Sequence, residues 1–226
     1  MKQSTTWSKL QEAEEKAKLL FQEIEGHQLI RAGKSESQVS SEIVELAKLK
    51  LGIELFWHKR IVRAGKNTLF PYKENPLDLI IQEDDILFLD LGPVFEEWEA
   101  DFGKTYVMGA DPSKLKLKKD IELAWHKLTN KIQCLSTVTA ADVYWMVVEE
   151  ATQNGWEFGG EIAGHIIGQY PHEKLEKGDV SFYIHPENTT QLRANGLLVT
   201  HQHWILELHF ISREKQIGAF VEGLLF

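Results

Sequence analysis

One cysteine in 226 residues leaves no partner for a disulfide within the chain and speaks against a thiolate metal site. Cys134 is therefore read as a buried, inert residue. No run approaches the roughly 18 apolar residues that a membrane span needs. The opening segment MKQSTTWSKLQEAEEKAKLL has no apolar signal-peptide core, so a cytoplasmic protein is expected. Basic residues are in short supply, with Lys plus Arg 25 against Asp plus Glu 34, a formal charge of −9. Such a surface excludes nucleic acid and an anionic membrane as main partners. Low-complexity segments, short-period repeats and linkers are also missing. One domain spanning 1–226 is the expectation, with a hydrophobic fraction of 43% to fill its core.

What is present is an alternation of helical and strand-like patterns. Leu10, Ala13, Ala17, Leu20 and Ile24 recur at three- and four-residue steps and predict a helix over Trp7 to Glu25. Ser35 or Ser37 caps a second helix, which runs to Lys50 and stops at Gly52. Leu115 to Leu135 and Ala140 to Asn154 also carry the helical period. Strands are predicted over Ile53 to Val62, Asp85 to Leu91, Thr105 to Met108, Val180 to Ile184, His203 to Ile211 and Ala219 to Phe226. Two of the six prolines fall in GKNTLFPYKENPLD, a surface loop by composition. The fold class is α+β.

Chemistry concentrates where charged residues interrupt apolar segments. Asp90 ends a buried run, Gly92-Pro93 breaks it, and Asp101 follows 11 residues after Asp90. His165 lies in AGHIIGQYPHE, with His172 seven residues on. Glu207 sits inside HWILELHF, on the strand face of Ile205 and His209, and Glu222 inside GAFVEGLLF. Taken singly, each has an ordinary explanation: aspartates solvated at strand ends, a histidine bonded to a carbonyl, glutamates on an exposed face. Taken together, four carboxylates and one imidazole in apolar surroundings repel unless cations neutralise them. Two divalent ions about 3.5–4 Å apart would do so. The oxygen-rich donor set suits Mn, Co, Fe or Zn.

In this order the residues resemble the M24 metallopeptidases, which include methionine aminopeptidases, Xaa-Pro aminopeptidases, prolidases and creatinases. The resemblance runs from about residue 10 to the end. It rests on the Asp90–Asp101 spacing, the Gly-His-x-x-Gly-x-x-x-His-Glu run from Gly164 to Glu173, and the two late glutamates. It implies a pita-bread fold, a curved antiparallel sheet flanked by helices. It further implies two divalent ions, with Asp90 on one, His165 on the other, and Asp101 and Glu222 on both. Glu207 would bind the ion beside His165 and shuttle a proton, while His172 steadies the scissile carbonyl. A metal-bridging hydroxide would attack the amide of a peptide or small amide substrate, as in an aminopeptidase or Xaa-Pro dipeptidase, and the chain would form a homodimer.

The sequence also departs from the family. A further histidine usually precedes the first ligand aspartate, and here Pro71 or Tyr72 stands in its place. Glu207 is followed by Leu208 where the family has proline. The chain resembles the catalytic domain alone. A hydrolase of non-peptide amides or C–N bonds, or a peptide-binding module without catalysis, stay open beside the peptidase. His58, Tyr72, Trp98 and His209 join His172 as expected substrate-binding residues. Glu96, Glu97 and Glu99 are read as a solvated hairpin, and His201 and His203 as a solvated strand-edge pair.

Overall fold

The computed structural model describes residues 5–172, 179–199 and 202–226. The chain opens with α1 (Thr5–Gly26), whose Leu10, Ala13, Ala17, Leu20 and Ile24 are all buried, so the apolar stripe is the packed face. α2 (Glu36–Leu51) begins at a capping box, in which Ser35 accepts from the Gln38 amide and the Gln38 side chain accepts from the Ser35 amide. It ends at Gly52 in the left-handed region. β1 (Ile61–Ala64) leads into a 3-10 turn, Gly65–Leu69. Next come β2 (Ile86–Leu91), the short hairpin β3 (Val94–Phe95) and β4 (Trp98–Glu99), and β5 (Phe102–Val107).

α3 (Pro112–Cys134) is capped by Asp111 with proline in its first turn. β6 (Val138–Thr139) precedes α4 (Ala140–Gln153), which starts at a Thr139/Asp142 capping box. β7 (Glu157–Phe158), β8 (Ile166–Ile167), β9 (Gln191–Ala194) and β10 (Leu197–Leu198) are short. The long hairpin β11 (His203–Ser212) and β12 (Ile217–Leu224) closes the chain.

Seven strands among the described residues form one antiparallel sheet in the order β1-β2-β5-β12-β11-β7, with β8 pairing separately with β11. Strand alternation gives this sheet two faces. Leu87, Leu89 and Leu91 pack with α1 and α2, and Leu206, Leu208, Phe210 and Ala219 pack with α3 and α4. Their neighbours Phe88, Asp90, Glu207, His209, Phe220 and Glu222 line a cavity on the other face. Each buried leucine contributes about 1.5–3 kcal/mol, so the helix-facing residues fix which way the intervening carboxylates point. A slip of one residue would exchange the two sets. No helix among the described residues is long and apolar enough to cross a membrane.

Three sequence expectations need correction. Ile53 to Val62 is not a strand throughout. Only its last two residues join β1, while Phe56 makes a single bridge to Pro93 and the chain bends at Trp57-His58. The Trp57 amide bonds to Gly92 O and its indole to Ala100 O, which turns both side chains off the sheet. Val180 to Ile184 is a turn with one bridge, from Tyr183 to His165, because the Asn188 amide occupies the Ser181 and Tyr183 carbonyls. Cys134 is exposed at the end of α3. The loop after β1 also starts deeper than its composition suggests, since Asn67 and Thr68 are buried.

Candidate metal centre

Strand register explains how distant carboxylates meet. Asp90 on β2 lies opposite Gly103 on β5, Gly103 lies opposite Glu222 on β12, and Glu222 lies opposite Glu207 on β11. These form one row across four strands, and residues in register share a face. Asp101 lies two residues before Gly103 and is also buried on the cavity side. His165 comes from outside this row. It is carried beside β8, and its carbonyl accepts from the Ile205 amide. A Cβ on Gly164 would lie 2.2 Å from Ile205 O, and the residue has φ +138°, so only glycine lets this segment close on β11.

Asp101 stands between two imidazoles. Its Oδ1 is 3.1 Å from His58 Nε2, and its Oδ2 is 3.4 Å from His165 Nε2. His58 Nε2 is also 3.5 Å from Asp90 Oδ1, and His165 Nε2 is 3.9 Å from Glu222 Oε1. Glu222 is 2% exposed, and no donor among the described residues reaches its Oε2. Burial raises the Glu222 carboxyl well above the usual range, with the charges of Asp101, Asp90 and Glu207 adding to the effect. Burial likewise raises Asp90 and Glu207. Burial acts against the Asp101 carboxylate too, but His58 and His165 outweigh it and hold Asp101 below the usual range. Burial would lower His58, yet the Asp101 and Asp90 charges prevail and raise it.

An uncompensated buried carboxylate is costly, so this donor set fits divalent cations. Two clusters, His58 with Asp90 and Asp101, and Asp101 with His165 and Glu222, each bring their donor atoms within 4.8 Å of one another. Both open on a cavity of about 690 Å³, within the usual range for small-ligand sites.

A sequence model of metallopeptidase family M24 matches residues 8–222. The chain belongs to this family. A relative described as an Xaa-Pro dipeptidase, from Lactobacillus delbrueckii subsp. lactis, is 32% identical over 166 residues, 73% of this chain and 44% of that relative. Among solved structures, dipeptidase PepE from Mycobacterium ulcerans aligns with TM-score 0.77 at 22% identity, over 99% of this chain and 55% of that one. X-Pro aminopeptidase from Thermotoga maritima MSB8 aligns with TM-score 0.76 at 20% identity, over 99% and 61%. Prolidase from Pyrococcus furiosus aligns with TM-score 0.75 at 19% identity, over 99% and 61%. These likenesses establish the pita-bread fold. The chain spans just under half of the curated relative and somewhat over half of the structural ones.

Against the M24 pattern, Asp90, Asp101, His165, Glu207 and Glu222 all reach the cavity, as do His58, Tyr72, His172 and His209. Tyr72 is about half exposed and meets the His58 ring edge-on. His209 is buried, with Nε2 bonded to Thr68 O. Trp98 is not among the lining residues. It packs with Leu10 and Ile167, because the tight β3–β4 turn carries its ring away from the opening.

The wall tryptophan is Trp57, which meets His58, His165 and His172 edge-on at centroid distances of 4.5, 5.4 and 5.2 Å. Glu99 departs most from expectation, being fully buried rather than solvated. Its carboxylate lies 2.7 Å from His172 Nδ1 and accepts from the Gly168 and His172 amides. The signal was there in part, since Glu99 shares Asp101's alternation phase. Glu173 and His201 lie outside the described residues, and His203 stacks on Trp7.

Proposed function

We propose that this chain is the catalytic part of a two-metal hydrolase of short peptides, with Xaa-Pro dipeptides as the leading substrate class. The observation that carries the reading is Asp101, which turns one oxygen to each of two imidazoles beside the in-register row of Asp90, Glu222 and Glu207. The substrate class follows the activities named for the Lactobacillus relative and the structural neighbours. Asp90 would hold one ion and His165 with Glu207 the other, with Asp101 and Glu222 shared. Bound ions would supply Lewis acidity, acidifying water and balancing oxyanion charge.

The remaining work falls to the chain. Glu207, partly buried on the cavity face with a raised carboxyl, suits the transfer of a proton from attacking water to the leaving amine. Glu99 takes one ring nitrogen of His172 and leaves Nε2 for the scissile carbonyl. Trp57 and Tyr72 wall the cavity and would orient the peptide.

The test is metal analysis joined to a substrate screen. Purified protein should carry up to two divalent ions per chain, lose Xaa-Pro hydrolysis on chelation and regain it with Mn²⁺ or Co²⁺. Asp101→Asn should lower kcat/KM by at least about 100-fold, the scale of losing one charge-stabilising group. Fewer than one ion per chain, with no gain on adding either metal, would remove the hydrolase reading. Pro71 or Tyr72, standing where M24 aminopeptidases carry histidine, favours a second reading, hydrolysis of a small non-peptide amide. Turnover confined to such amides in the same screen would select it. A homodimer is part of the proposal, and light scattering reads it directly.

A further inference from the structure

The geometry points to His58 as a protein ligand of the ion that Asp90 and Asp101 hold, giving each of the two metal positions an imidazole of its own. The inference rests on the two-metal reading and adds to it a residue outside the five ligands named for it.

Three observations carry it. The first is the spacing of donors. Atoms bound about 2.1 Å from one divalent ion at angles of 90–110° lie roughly 3.0–3.5 Å from each other. His58 Nε2 lies 3.1 Å from Asp101 Oδ1 and 3.5 Å from Asp90 Oδ1. His165 Nε2 lies at a similar 3.4 Å from Asp101 Oδ2.

The second is the other ring nitrogen. A metal-binding histidine usually donates its remaining N–H to a carbonyl or carboxylate, which fixes the tautomer and leaves the lone pair on the ligating nitrogen. His58 Nδ1 is 2.7 Å from Lys59 O, and His165 Nδ1 is 2.8 Å from Ile166 O. In both residues the carbonyl of the next residue takes Nδ1, and Nε2 faces Asp101.

The third is the room made for the ring. A Cβ on Gly92 would lie 2.2 Å from His58 Cδ2 and 2.5 Å from Trp57 Nε1. The strand break after Asp90 thus brings the imidazole against the backbone, and Trp57 backs it edge-on at 4.5 Å. The His58 side chain is only 7% exposed, so the ring is built into the floor.

An added imidazole has two consequences. It takes a position on the ion that would otherwise be open to water or substrate. It also shifts that position's preference from Mn²⁺ toward Co²⁺ and Zn²⁺, which suit imidazole better.

The test measures binding rather than turnover. Co²⁺ is titrated by calorimetry into chelator-treated wild type, His58→Gln and His165→Gln, and nitrogen couplings to bound Mn²⁺ are counted by electron spin-echo spectroscopy. Wild type should bind two ions with two imidazole nitrogens coupled. His58→Gln should weaken one ion by at least about 100-fold, beyond the 10–100-fold seen when a group that merely orients a ligand is lost, and should leave one nitrogen. A single coupled nitrogen in wild type, or two ions held at wild-type affinity by a folded His58→Gln, overturns the role of His58. The wild-type nitrogen count needs no variant and decides the matter if His58→Gln does not fold. Loss of an ion from His165→Gln alone removes His58 but leaves the two-metal reading standing. Failure of wild type to bind either Co²⁺ or Mn²⁺ removes both.

Discussion

At the scale of single residues, the site is made by groups that are costly to bury and are compensated one by one. Glu99 shows how far this reaches beyond the ligands. Fully buried, it accepts from His172 Nδ1 and from two backbone amides. Its task under the proposed function is to hold one orientation of the His172 ring. Glu99→Gln replaces an acceptor oxygen by an NH₂ group facing donors, which should cost about 1–3 kcal/mol of stability. It should also lower kcat/KM by about 10–100-fold, as loss of an orienting partner does, with metal content unchanged. A variant with full kcat/KM, or one that loses metal in proportion to activity, would show that Glu99 does not act through His172.

The five candidate ligands were legible in the sequence because Asp90, Glu207 and Glu222 end or interrupt apolar runs, and Asp101 and His165 follow in a recognisable spacing and order. Glu99 was not, because Glu96 and Glu97, three and two residues before it, are acidic and exposed and make the segment scan as one solvated run. Trp57 was hidden for a different reason, which also kept His58, expected to bind substrate, from being placed among the carboxylates. Phe56-Trp57-His58 scans as part of a strand, and only long-range bonds to Gly92 and Ala100 reveal the bend that turns them into the cavity.

At the scale of elements, legibility followed length. The four helices were readable from their apolar stripes, with caps adding to the reading of α2, and β2, β11 and β12 because they are long apolar segments. Strands of two residues, such as β3, β4, β7 and β8, carry no period, and their pairing comes from the rest of the fold. β8 nevertheless positions a candidate ligand, because its pairing with β11 sets His165 beside Asp101. Gly164→Ala tests that dependence. Its Cβ cannot share space with Ile205 O, so the segment must lift. Stability should fall by about 2 kcal/mol or more, and the ion beside His165 should bind more weakly than the ion beside Asp90. Equal weakening of both ions would mean the whole cavity floor had moved. The 3-10 turn after β1 is a second such element. The Thr68 hydroxyl accepts from the Gly218 amide and donates to Gly65 O, while its carbonyl takes His209. Thr68→Val, which keeps the shape and removes the hydroxyl, should cost about 1–3 kcal/mol in urea unfolding.

At the scale of the whole molecule, the acidic floor ties stability to both metal and pH. The carboxyls of Asp90, Glu207 and Glu222 are raised by burial, and the imidazoles of His58 and His165 are raised by the carboxylates around them. A group raised on folding stabilises the fold below its unfolded value, about 4 for a carboxyl and 6.5 for an imidazole. That contribution is lost as pH rises through the folded value. Both sets therefore act in the same direction, and chelated protein should lose stability from mildly acidic pH upward. Asp101 is shifted the other way, and its contribution fades only below the ordinary carboxyl range. Divalent ions reverse the trend, because they take the place of the protons and bind more tightly as the ligands deprotonate. At a free-ion concentration 100 times Kd, one site adds about 2.7 kcal/mol. The gap in Tm between metal-loaded and chelated protein should therefore widen steadily from pH 5 to pH 8. Asp101→Asn should abolish the gap, since it removes the carboxylate that both clusters share. A gap that stays constant across this range, or narrows, would mean that the buried carboxylates are compensated within the chain rather than by bound cations.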